Sequence, residues 1–197
     1  MHKKLPKIFI FIDKYNSEIF KKKNINIGIV YRNYNDENRE NQLIKIAEAC
    51  KKSRYQLFVS NDIKLAYKFK ADGIYIPSFN KSKKFLNLEK RNIKIIGSAH
   101  SQKEIHKKIE QNCKAIFLSP LFYTEKEKCY LNLYKFNYLS LLNKTNILAL
   151  GGISENNIRK LKLLSIKGFG GIKFFKKKPA SKRPVFIKKI SFKYLQC

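Results

Sequence analysis

Polar residues suited to gripping an anion recur directly after short apolar runs in this chain. Arg32-Asn33-Tyr34-Asn35 follows the run ending at Tyr31, Ser60-Asn61-Asp62 follows Val59, and Gly97-Ser98-Ala99-His100 follows Ile96. Ser119-Pro120, with Thr124, Lys126 and Lys128 beyond it, follows Leu118, while Gly151-Gly152 and Lys173 follow the last two runs. Arg32 offers a planar fork that matches phosphate oxygens, Asn61 an amide donor, and Asp62 a hard carboxylate oxygen suited to Mg2+. Together these three suit a diphosphate carrying a metal ion. Gly151-Gly152 leaves a strand without side chains in the way, so backbone N–H groups there can approach a second anion. Thr124, Lys126 and Lys128 could hold an anion as well.

Each residue also has a plainer reading. Arg32 could serve a surface ion pair, and Asn61-Asp62 ahead of Ile63 to Ala66 reads equally as a helix cap. His100 is expected to bridge loop backbone groups rather than to move protons. A lysine-rich loop needs no ligand in a chain with a net charge of +29.

The elements that must position these groups are strands and helices in alternation. Strands are predicted at Lys7 to Ile12, Ile25 to Tyr31, Gln56 to Val59, Gly73 to Ile76, Ile93 to Ile96, Ala115 to Leu118, Ile147 to Leu150 and Gly168 to Ile172. Helical spacing places Leu43, Ile44, Ile46, Ala47 and Cys50 on one face of 41–52, and Ile63, Ala66 and Phe69 on one face of 62–70. Ser101 and Glu104 form a capping box for a helix over 101–112. Ser154 is the expected N-cap of a helix over 154–165 carrying Ile158, Leu161 and Leu164. Residues 14–24 are too short and lysine-rich for a helix, and 176–197, with Pro179 and Pro184, reads as an irregular tail.

Eight strands alternating with helices predict an α/β fold, a single (β/α)8 TIM barrel spanning 1–197. A doubly wound open sheet shares the local pattern and differs only in closure. No linker-like composition divides the chain.

Composition narrows the function classes. The 43 Lys+Arg against 14 Asp+Glu would suit a polyanion, but the lysines are scattered, and no zinc-finger spacing or RNA-binding aromatic signature accompanies them. A solvated lysine-rich surface is expected, without specific nucleic-acid binding. Cys50, Cys113, Cys129 and Cys197 are far apart, which predicts reduced thiols rather than a zinc site or a disulfide framework. The apolar run at Ile8 to Ile12 ends at Asp13, too early for a signal peptide, and no run approaches the ~20 residues of a membrane span. A soluble, cytoplasmic protein is the expectation.

The ordered segments VSNDIKLAYKFKADGIYI (Val59 to Ile76), IIGSAH (Ile95 to His100), SPLFYT (Ser119 to Thr124) and LALGGI (Leu148 to Ile153) resemble the thiamine phosphate synthase family of α/β barrels, which includes related thiazole tautomerases. The likeness runs from about Ile25 to Phe175. It implies a transferase of thiamine biosynthesis that joins hydroxymethylpyrimidine diphosphate to thiazole phosphate and releases pyrophosphate. It also implies roles: Arg32 and Asn61 on the diphosphate, Asp62 on Mg2+, Ser98 beside the pyrimidine, and Thr124 with Lys126 or Lys128 facing both substrates. The glycine turn with Ile172 and Lys173 would cradle the thiazole phosphate.

The chain departs from the family pattern in a localised way. Val30 and Tyr34 stand where the family has a glutamine and a lysine, and Asn80 stands where it has a second magnesium-ligating aspartate. Glu127 takes the expected lysine position after Thr124, between Lys126 and Lys128. Pro120 occupies the place of the tautomerase histidine, which disfavours tautomerase activity. The leading expectation is therefore a synthase-like transferase. Its alternative is a barrel that binds a phosphorylated thiamine precursor or another small phosphate ester without the chemistry.

Overall fold

All eight apolar runs become strands in the computed structural model, which describes residues 4–21, 23–24, 26–34, 38–86, 88, 92–125 and 129–171. They are β1 (Ile8–Ile12), β2 (Ile27–Tyr31), β3 (Gln56–Ser60), β4 (Gly73–Ile76), β5 (Lys94–Ala99), β6 (Ala115–Leu118), β7 (Asn146–Ala149) and β8 (Gly168–Gly171). Each pairs in parallel with the next, and β8 returns to β1 through Ile8 opposite Phe169. The sheet is closed, so the protein is a (β/α)8 barrel and not an open doubly wound sheet.

The strands are buried on both sides, which is why they read as continuous apolar runs rather than alternating ones. Phe9, Phe11, Val30, Phe58, Tyr75, Ile96, Phe117 and Leu148 fill the barrel interior, while Ile8, Ile10, Ile12, Ile29 and Ile74 face the helices. Phe117 meets Phe9 and Phe11 edge to face, with ring centroids 5.1 Å apart in both pairs. Such pairs contribute roughly 0.5–1.5 kcal/mol beyond burial. Glycines on neighbouring strands supply the room: a Cβ at Gly170 would stand 2.9 Å from Phe11 and 3.0 Å from Phe117.

The described α-helices are α1 (Arg39–Ser53), α2 (Ile63–Lys68), α3 (Gln102–Glu110) and α4 (Asn132–Leu142). The stripe on α1 buries Leu43, Ile46 and Cys50 but leaves Ile44 exposed, and Ser101 caps α3 by accepting the Glu104 N–H at 3.3 Å. One predicted helix differs, in type and in cap. Over 154–165 the chain forms a 3-10 helix, Ile158–Leu163, whose N-cap is Asn157 rather than Ser154. Asn157 accepts the Ser154 N–H (2.8 Å) and donates to the Gly152 carbonyl (2.8 Å), a local network that competes with an α-helical first turn. Tighter winding still buries Ile158 and Leu161, because they are three residues apart. Residues Ser17–Phe20 form a short 3-10 turn, in keeping with the absence of a helix there.

Helix α4 carries no clear apolar stripe, so periodicity does not announce it. It buries Phe136 and Leu139 yet leaves Tyr134, Tyr138 and Leu141 exposed. Among the described residues Cys50, Cys113 and Cys129 are free thiols, and burial pushes the Cys113 thiol up to about 12. No described helix is long and apolar enough to cross a membrane. The expectations for Lys126, Glu127, Lys128, Ile172, Lys173 and the tail from 176 onward fall outside the described residues.

Candidate active site

The loops that follow the strands meet at one end of the barrel, and their polar groups form two clusters. The first joins β2, β3 and β4. Arg32 sits one residue past β2, its N–H donating to the Ile12 carbonyl at 3.1 Å. Its guanidinium leans toward the Phe11 ring (5.9 Å to the centroid) and donates from Nε to Asp13 Oδ1 at 3.1 Å. The ion-pair reading of Arg32 is thus realised, between two part-exposed groups whose attraction is weak in water.

Asn61 adopts a left-handed backbone (φ 58°), which asparagine tolerates, and its N–H donates to the Tyr75 carbonyl at 2.9 Å. Asn80, four residues past the end of β4, donates its side-chain N–H to Asn61 Oδ1. Asp62 performs the cap: Oδ1 accepts the Leu65 N–H at 2.9 Å. Its other oxygen, Oδ2, accepts from Arg39 Nη1 at 3.1 Å, and Arg39 Nη2 donates to the Ser60 carbonyl at 2.7 Å. Arg39 Nε is buried and has no hydrogen-bond partner among the described residues. Tyr34 and Ser60 share a hydroxyl hydrogen bond of 2.8 Å, and the Tyr34 ring stands edge-on to Phe79 at 6.1 Å. Burial raises the Tyr34 phenol above its ordinary value.

This donor set bears on magnesium. No cluster of three or more His, Cys, Asp or Glu side chains capable of holding a metal occurs among the described residues, so a cage made wholly of protein carboxylates is absent there. Two carboxylates stand in this cluster, Asp13 on Arg32 and Asp62 on Arg39, and Mg2+ is commonly held by one or two carboxylates with substrate phosphates completing its shell. The residues fit that substrate-carried mode, in competition with Arg39 for Asp62 Oδ2.

Ser98, at the end of β5, is buried and accepts a hydrogen bond from Tyr75 OH at 2.9 Å. Burial pushes the Tyr75 phenol up to about 12, so it remains a neutral donor inside the barrel. His100 takes the bridging role: Nδ1 donates to the Ser119 carbonyl (2.9 Å) and Nε2 meets the Ser78 hydroxyl (3.2 Å).

The second cluster is the turn after β7. Gly151 (φ 92°) and Gly152 (φ 68°) both hold left-handed backbones. A Cβ on Gly151 would stand 2.7 Å from Pro120, and one on Gly152 would stand 2.6 Å from the Phe122 and Tyr123 carbonyls, so the turn is glycine for fit as well as for φ. The Leu121 and Phe122 N–H groups donate to Leu150 and Gly151 at 2.9 and 3.2 Å, stitching the loop after β6 to this turn. Thr124 lies half-buried farther along that loop.

The fold thus brings Arg32, Asn61, Asp62 and Asn80 to one side of the mouth, and Gly151 and Gly152 to the loop after β6 that carries Thr124. Ser98 is turned onto Tyr75. Sequence reading missed Arg39, although its spacing from Leu43, Ile46 and Cys50 puts an arginine on the buried stripe of α1. It also missed Tyr75, whose hydroxyl in an otherwise apolar strand called for a partner.

Comparison with known proteins agrees with this architecture. The family model for thiamine monophosphate synthase matches residues 20–173. A thiamine-phosphate synthase of one Prochlorococcus marinus strain is 34% identical over 144 residues, covering 66% of this chain and 40% of the relative. A second, from P. marinus subsp. pastoris, is 30% identical over 135 residues, covering 67% and 38%. The matched part therefore spans about 40% of the length of these curated relatives. Among solved structures, thiamine phosphate pyrophosphorylase from Pyrococcus furiosus superposes with a TM-score of 0.70 over 87% of each chain at 17% identity. FabK from Thermotoga maritima reaches 0.65 at 13% identity, over 86% of this chain and 58% of its own, which reflects the shared barrel alone. A family match over most of the chain, on a closed barrel with its polar groups gathered at one mouth, leads to the conclusion that the chain belongs to the thiamine monophosphate synthase family.

Proposed function

We propose that this chain is a thiamine phosphate synthase-like transferase, joining hydroxymethylpyrimidine diphosphate to thiazole phosphate with release of pyrophosphate. The observation that carries the reading is the placement of Arg32, Asn61 and Asp62 after the adjacent strands β2 and β3, with a left-handed glycine turn after β7 of the same barrel. In this reaction the C–O bond to the diphosphate breaks with its electron pair leaving on pyrophosphate, and the thiazole nitrogen forms the new C–N bond. No proton has to move and no protein nucleophile is required. The protein's task is to orient the partners and to stabilise charge on the leaving group.

Arg32 and the Asn61 amide would grip the diphosphate, Arg32 exchanging a weak contact with Asp13 for a stronger phosphate contact. Asp62 would anchor a Mg2+ ion that neutralises the diphosphate. The N–H groups of Gly151 and Gly152 would receive the thiazole phosphate, joined by Lys173. Ser98, held by Tyr75, would present its remaining lone pair toward the pyrimidine, and Thr124 with Lys126 or Lys128 would close over both substrates.

The test is thiamine phosphate formation by purified protein with both substrates and Mg2+. Product that appears with the ion and disappears with a chelator supports the reading. No product, together with no binding of either substrate, overturns it.

A second reading has its own support. Val30 is fully buried in the barrel, Tyr34 is spent on Ser60, and Asn80 is spent on Asn61, so the diphosphate side offers fewer charged groups than the family pattern. A barrel that binds a phosphorylated precursor without turnover would show calorimetric affinity for thiazole phosphate and none for pyrophosphate with Mg2+.

A further inference from the structure

Lysine is normally the residue least suited to a protein interior, yet Lys108 on α3 is 1% exposed. Its stem runs past Gly97 on β5, where a Cβ would stand 2.9 Å from both Lys108 Cδ and Cys113 Sγ; glycine there leaves the channel the lysine occupies. At the end of that channel Nζ donates to the Pro77 carbonyl (2.8 Å), the Asn80 carbonyl (2.7 Å) and Gln111 Oε1 (2.8 Å). All three ammonium protons are accounted for, which is what a buried charge requires. Gln111, equally buried, donates in turn to the carbonyls of Asn80 (3.1 Å) and Ser82 (2.7 Å). The carbonyl acceptors belong to one segment, the first part of the loop after β4, which carries the Asn80 side chain that meets Asn61. His100 holds the same loop from its other side through Ser78.

We infer that Lys108, with Gln111, is a positioning residue: a buried ammonium strap that holds the loop Pro77–Ser82 against α3 and thereby sets Asn80 beside Asn61 on the diphosphate side of the mouth. The placement of that side rests on the synthase-like reading above; the strap itself rests on the hydrogen bonds. Burial pulls the ammonium down to about 8, so it is still largely protonated at neutral pH, when all three acceptors need a donor. Residues 78–82 are half-buried or exposed, so the loop's hold on α3 runs through its carbonyls.

The experiment uses Lys108→Met, which keeps an unbranched stem in the channel and removes the three donors, and Gln111→Met in case the first variant fails to fold. Hydrogen exchange across the chain and calorimetric affinities for inorganic pyrophosphate with Mg2+ and for thiazole phosphate are measured in each. The expected result is faster exchange confined to 78–83, a fall of about tenfold in pyrophosphate affinity, as for one lost charge-assisted hydrogen bond, and unchanged thiazole phosphate affinity. Lys108→Arg should not rescue, since the wider guanidinium does not fit the Gly97 channel. Folded variants with unchanged exchange over 78–83 would overturn the strap, as would equal losses for both ligands. If the unmodified protein binds no pyrophosphate while the exchange change still appears, the synthase-like reading fails and the strap stands.

Discussion

The two sides of the barrel mouth are built by different means. Around β2, β3 and β4 the groups are side chains that already satisfy one another: Arg32 with Asp13, Asp62 with Arg39 and the α2 N-terminus, Asn61 with Asn80, Tyr34 with Ser60. Around β7 the groups are backbone, held open by two left-handed glycines packed against the loop after β6. A ligand on the first side must displace partners, and its net gain is the difference between two sets of hydrogen bonds. A ligand on the second side meets a preformed shape. Affinity without turnover is therefore easier to retain at the glycine turn than at the carboxylate side.

The sharpest way to break this contrast is Gly152→Ala. The substitution forces alanine to φ 68° and drives its Cβ to 2.6 Å from two backbone carbonyls, which cannot rotate away. A loss on the order of 3 kcal/mol is expected from strain plus overpacking. Chemical denaturation should register it, with thiazole phosphate affinity lost and pyrophosphate affinity largely kept in whatever remains folded.

Next in size is Asp62, where cap and proposed metal ligand can be separated. Asp62→Ala removes both and should cost about 1 kcal/mol of stability from the cap. Asp62→Asn keeps a capping oxygen, so it should be nearly as stable as the parent and yet lose most magnesium-dependent turnover. Asparagine with parental turnover would leave Asp62 a cap and nothing more. Arg39→Gln makes the converse case: with its competitor gone, Asp62 should bind Mg2+ several-fold more tightly in the presence of pyrophosphate, read by calorimetry.

The effect hardest to isolate is the pH dependence of the strap beside the first cluster. Lys108 falls from an ordinary value near 10.5 to about 8 because it is buried, with Cys113 and Glu104 pulling the other way. Between those values the unfolded chain holds a proton that the folded chain has released, so this residue's contribution to stability rises with pH across the window. Buried thiols and phenols titrate there too, in the opposite sense, so the useful quantity is the difference between the parent and Lys108→Met. That difference should shift in the parent's favour from pH 8 to pH 10 and stay flat below pH 7.

Much of this fold was legible in the chain. Fully buried parallel strands must be apolar throughout, so β1 to β8 stand out as uninterrupted runs, and local caps such as Ser101 and Asp62 declare helix starts. Helix α4 was hidden because exposed Tyr134, Tyr138 and Leu141 erase its stripe, and the 3-10 helix at Ile158–Leu163 because Asn157 rewired its first turn. Of the candidate site, the residue types after each strand were readable, but not their partners.

Arg39 and Lys108 show where the boundary lies. Both occupy positions that helical spacing assigns to the buried face, a signal present in the sequence, but only the fold reveals what a cation there is for. Spacing is local: it fixes strand, helix and which face turns inward, since those depend on backbone period and neighbouring side chains. Pairing is not. Arg39 reaches Asp62 across 23 residues and Lys108 reaches Pro77 across 31, distances along the chain that have no bearing on proximity until the barrel closes. The sequence alone determined that strands and helices alternate eight times with polar residues at the strand ends, and tertiary structure decided that the sheet closes. Tertiary structure decided which of those residues are already engaged, because hydrogen bonds depend on separation in space.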